Sequence, residues 1–74
     1  MQQPAYYEIR IEGSLHPHWS EWFEGLEIRQ LPGGATLIAG ELPDQAALHG
    51  ILMKIRDLGL VLVSVNRIEN AKTA

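Results

Sequence analysis

The chain has no cysteine, which removes disulfide staples, iron–sulfur ligation, thiol chemistry and any C-x-x-C copper-carrier motif. It also has little net charge. Six Lys and Arg against nine Asp and Glu leave −3 at pH 7, so no basic footprint favours nucleic acid or anionic lipid. Long hydrophobic runs are missing too: the longest, Leu60–Val63, is far too short to cross a bilayer. Met1–Ala5 has neither a basic start nor an apolar stretch of signal-peptide length, and a cytoplasmic setting is expected. No linker, repeat or low-complexity segment divides the 74 residues, which suffice for one domain. Such a domain buries only roughly 60% of its unfolded surface, and small domains without staples often recover stability by oligomerising.

The hydrophobic period changes along the chain in the order strand, helix, strand, strand, helix, strand. Tyr6–Gly13 alternates, with Tyr7, Ile9 and Ile11 on one side and Tyr6, Glu8, Arg10 and Glu12 on the other. Trp19, Trp22, Phe23 and Leu26 recur at helical spacing, and the pattern predicts a helix over Pro17–Gly25 with the aromatics in the core. Leu26–Leu31 and Ala35–Leu42 read as strands around the turn Pro32-Gly33-Gly34. Asp44–Leu58 is an amphipathic helix with an acidic start, a core stripe of Leu48, Ile51, Leu52, Ile55 and Leu58, and a stop at Gly59. Leu60–Ile68 is a strand apolar on both sides. That order predicts an α+β, ferredoxin-like βαββαβ sandwich over residues 6–69. Its four-stranded antiparallel sheet would run 4-1-3-2, with two helices on one face. Residues 1–5 and 70–74 read as disordered ends.

Two surfaces stand out as candidate interfaces. The sheet face away from the helices carries Tyr6, Glu8, Arg10 and Arg29, either a solvated charge ladder or the contact face of a dimer or small ligand. On the second helix Ala46, Gly50, Met53 and Asp57 fall roughly opposite the core stripe. A mid-helix glycine there costs about 0.5–1 kcal/mol relative to alanine, so this face reads either as a contact with a partner or as a tolerant exposed site. The two apolar sides of the last strand favour self-association, because an exposed apolar edge invites aggregation.

Catalytic and metal signatures are thin. His16 and His18 form only an H-x-H pair, where a metal needs three or four converging ligands, and His16 reads better as a helix cap. No metal or cofactor is expected. Gly33-Gly34 precedes a strand and lacks the lysine and helix of a phosphate-binding loop. An RNA-recognition sheet needs exposed aromatics and a basic surface, and only Tyr6 is available.

Tyr7-x-Ile9, Gly13-x-Leu15 and Trp19-x-x-Trp22-Phe23-x-Gly25-Leu26 lead into Asp44-Gln45-Ala46-Ala47-Leu48-His49-Gly50 and Ile55-Arg56-Asp57-Leu58-Gly59-Leu60. This wording resembles a group of short bacterial proteins of unassigned function, and the layout is similar to ACT-like and dimeric α+β-barrel modules. The resemblance implies a standalone cytoplasmic protein and carries no site residues with it. The expected function is a non-catalytic interaction or regulatory module that forms a homodimer through the sheet face or edge and the outer face of the second helix. A small-molecule sensor and a dimeric α+β-barrel enzyme are the alternatives, with a protein or a small metabolite as the further partner.

Overall fold

In the computed structural model, which describes residues 4–68, four strands form one antiparallel sheet in the order β2-β3-β1-β4. The strands are β1 (Ala5–Glu12), β2 (Glu27–Leu31), β3 (Ala35–Leu42) and β4 (Leu62–Ile68), with a single helix, α1 (Gln45–Asp57), between β3 and β4. β1 and β3 are central and pair along their whole lengths, from Ala5 opposite Leu42 to Glu12 opposite Ala35. β2 and β4 are the edges. Of the ends expected to be disordered, Ala5 opens β1, whereas residues 1–3 and 69–74 lie outside the described residues.

The ferredoxin-like expectation of a βαββαβ sandwich with two helices on one face is corrected by this architecture: among the described residues one α-helix covers the sheet, whose order β2-β3-β1-β4 is the expected 4-1-3-2 read from the other edge. The helix read over Pro17–Gly25 closes only one 3₁₀ turn, Pro17–Ser20, followed by turns. The stretch is too short to sustain a helix alone, and aromatic, Ser and His residues lose rotamer freedom or compete for backbone groups. The chain instead makes short-range bonds, Trp19 N–H to His16 O and Phe23 N–H to Ser20 O. It then turns left-handed at Glu24 (φ 61°) and Gly25 (φ 80°), which ends any helix. Of the aromatics placed in the core, only Phe23 is fully buried; Trp19 is half-buried and Trp22 exposed.

α1 forms as its pattern requires. Asp44 caps it by accepting from Ala47 N–H at 2.8 Å. At the other end Gly59 (φ 73°) lets Gly59 N–H reach Arg56 O and Leu60 N–H reach Ile55 O, a Schellman stop. Leu48, Ile51 and Ile55 face the core and meet Tyr7, Ile9, Ile11, Ile28, Ile38 and Leu42 from the sheet, with Leu15, Phe23 and Leu26 from the loop. α1 lies over β3, and the 3₁₀ turn lies against β2. Neither covers the β4 edge to a comparable degree, because the second helix that would share the face is missing.

A polar knot fixes the loop after β1. Thr36, fully buried, donates from Oγ1 to Gly13 O at 2.6 Å. Gln30 donates from Nε2 to Leu15 O at 2.7 Å and accepts from Ser14 Oγ at 3.2 Å. No described buried side-chain polar atom lacks a partner.

Candidate functional site

On the open sheet face the strand register sorts the side chains into rows. Glu8 stands opposite Ala39 and Asn66, and Ala39 opposite Glu27. In the next same-face row Arg10 stands opposite Leu37 and Ser64, and Leu37 opposite Arg29. Tyr6, Glu8, Arg10 and Arg29 therefore share one surface, an acidic row beside a basic one. Arg29 donates to Glu27 at 2.7 Å. This hydrogen bond, followed by the Glu27 charge, holds the guanidinium above its already high ordinary pKa, with smaller contributions from Tyr6 and Glu8. Such a pair on the surface contributes little stability. The face offers charge complementarity.

The four helix positions differ in exposure. Ala46, Met53 and Asp57 are exposed, with Arg56 at 3.3 Å from the Asp57 carboxylate. Gly50 is half-buried and lines a cleft of about 430 Å³ with Ala47, Ile51, Lys54, Glu24 and the segment Glu41–Pro43. Lys54 is a residue that periodicity alone passed over. Its Nζ donates to Trp22 O at 2.8 Å and Glu24 Oε2 at 2.7 Å, and sits 5.1 Å from the Trp22 ring centre. It thus pins the turn that replaces the first helix onto α1.

The apolar surface left over lies at the start of β4 and the residue before it. Val61, Leu62 and Val63 are 55%, 45% and 52% exposed, three consecutive apolar residues at an edge. A bulge explains why both sides of the strand are open: Arg10 pairs with Ser64 but Ile11 with Leu62, so Val63 has no counterpart in β1. Only Val65 packs against the core. The opposite edge differs. β2 is five residues long and carries the Glu27–Arg29 ion pair, the usual means of blunting an edge. The two apolar sides of β4 were the sequence signal for this surface; the bulge had none.

His16 caps the 3₁₀ turn, its Nδ1 accepting from His18 N–H at 3.1 Å, with His18 Nδ1 at 2.8 Å. Among the described residues no three His, Asp or Glu side chains converge as a metal site would need, and no helix is long and apolar enough to cross a membrane.

A family model for a domain of unknown function, DUF8691, matches residues 6–66, from the second residue of β1 to within two residues of the end of β4. The chain belongs to the DUF8691 family. No curated protein and no solved structure matches it. The DUF8691 match takes in the whole sheet core, the Lys54 pin and the apolar start of β4, so these features lie within the family's domain.

Proposed function

We propose that this DUF8691 chain is a non-catalytic interaction module that forms a homodimer by antiparallel pairing of β4 with β4 of a second copy. The carrying observation is the run Val61–Leu62–Val63, about half exposed on an unpaired edge. An edge of this kind is a template for another strand, and β4 carries no Lys, Pro or inward charge over Leu62–Val65. Antiparallel pairing of one strand with itself is two-fold symmetric, so it closes at a dimer and leaves the charged β2 edges outermost.

Burying three half-exposed side chains on each copy contributes about 6 kcal/mol in all. Roughly six ladder hydrogen bonds add about 6 kcal/mol net. Set against an association cost of about 4–15 kcal/mol, the net gain is at most about 8 kcal/mol, so the Kd is no tighter than about micromolar. The charged open face and the outer face of α1 remain for a further protein or metabolite partner. A cytoplasmic setting in a bacterium belongs to the same proposal, supported by the resemblance to short bacterial proteins.

Sedimentation equilibrium over micromolar to millimolar concentration tests it. The wild-type chain should dimerise, and Val63→Lys should weaken the dimer about thirtyfold, through two half-exposed valines lost at about 1 kcal/mol each. A chain that stays monomeric at millimolar concentration refutes the reading.

A further inference from the structure

The open sheet face carries a pattern that matches its own reverse. Its two middle rows differ strand by strand: Glu8 and Arg10 on β1, Glu27 and Arg29 on β2. Between them β3 contributes Ala39 and Leu37, and at the far edge β4 contributes Asn66 and Ser64. A two-fold axis lying in the face, between the rows and perpendicular to the strands, sets each row over the other row of a second copy. Every strand then meets its complement. Glu8 comes over Arg10 of the second copy and Glu27 over Arg29, with the reverse pairs made by symmetry. Small Ala39 comes over large Leu37, and Asn66 over Ser64.

The shapes agree with the charges. Ala39 is only 3% exposed and lies low between its cross-strand neighbours Glu8 and Glu27, whereas Leu37 is half-buried. Facing sheets interdigitate side chains across a gap of about 10 Å, which an Arg and a Glu span together. One row outward Tyr6, 41% exposed, comes over Glu12 of the second copy, whose carboxylate can accept from the phenol. Among the described residues Glu8 and Arg10 have no hydrogen-bond or ion-pair partner. The Glu27–Arg29 pair within the chain is exposed and loses little by exchanging partners.

From this pattern we propose that the open face is a second self-association surface, which pairs with the same face of another copy about that in-plane axis. The proposal goes beyond the β4 edge contact and rests on different residues. Like rows placed over each other repel, so the charges fix orientation and register. The face contact weakens with salt, unlike an apolar edge. The in-plane axis crosses β4 at Val65, between Asn66 and Ser64. A β4 pairing centred on that residue makes the two axes meet and closes the assembly at four chains.

Sedimentation equilibrium of the Val63→Lys chain, whose edge contact is weakened, tests the face by itself. At millimolar protein and about 20 mM NaCl it should dimerise, and the dimer should weaken about tenfold in about 0.5 M NaCl. In that background Glu8→Arg with Glu27→Arg makes both rows basic, and Arg10→Glu with Arg29→Glu makes both acidic. Each chain alone should be monomeric, and an equimolar mixture should dimerise. A Val63→Lys chain that is monomeric at low salt, a dimer indifferent to salt, or a mixture that stays monomeric would overturn the proposal. If either double variant fails to fold by circular dichroism, Leu37→Glu decides. It sets a carboxylate over Ala39, between Glu8 and Glu27 of the second copy, and an undiminished low-salt dimer in that variant overturns the proposal too. The wild type in about 0.5 M NaCl should retain the β4 dimer, so the two contacts fail separately.

Discussion

Replacing Thr36 by valine separates the polar knot from the packing around it. The two side chains have nearly the same shape, and Thr36 sits at 0% exposure in the central strand β3, so the methyl contacts survive. What is lost is the 2.6 Å bond from Oγ1 to Gly13 O. A hydrogen bond of this kind contributes about 0.5–1.5 kcal/mol net, and a stranded acceptor costs about 1–3 kcal/mol. Gly13 is exposed, so water recovers part of the loss and the expected cost is about 1–2 kcal/mol. In a domain of this size each kcal/mol moves Tm by about 4–8 °C, and thermal unfolding by circular dichroism should show Thr36→Val melting roughly 5–15 °C lower. Gln30→Met, which removes the companion bond to Leu15 O, should be less than additive with it, since both hold the segment Gly13–Leu15. A Thr36→Val chain as stable as the wild type would show that the knot does not hold the loop.

Two further substitutions probe the turn that stands where a helix was expected. Lys54→Met removes both polar contacts and the cation over Trp22; it should cost about 1 kcal/mol and red-shift tryptophan fluorescence, and an unchanged spectrum would contradict the pin. Phe23→Ala deletes a ring at 0% exposure and should cost about 3–5 kcal/mol, enough to leave urea unfolding at 25 °C with little or no native baseline.

The strands and α1 were legible because their periods are physical. Tyr7, Ile9 and Ile11 alternate and are all buried, and Leu48, Ile51 and Ile55 recur at helical spacing and meet them. The boundary signals held as well: Asp44 caps α1 and Gly59 ends it. The same helical spacing misled at Trp19, Trp22 and Phe23. Periodicity says which residues share a face, not whether a short stretch of aromatics can pay the entropy of a helix, and Glu24 gave no sign of its left-handed backbone. The open-face rows followed from alternation once the register was known. The candidate surfaces were less legible. The exposure of Val63 depends on a bulge, and the cleft gathers Glu24, Pro43 and Lys54 from three separate segments.

The central claim is that β4 is completed by a second copy of itself, and amide hydrogen exchange at two protein concentrations tests it most directly. Protection of amides in Leu62–Ile68 should rise with concentration in the wild type and stay low in Val63→Lys, while amides of the β2 edge, Glu27–Leu31, stay the same in both. Unprotected β4 amides at a concentration where the chain is dimeric, or concentration-dependent protection confined to β2, would contradict it.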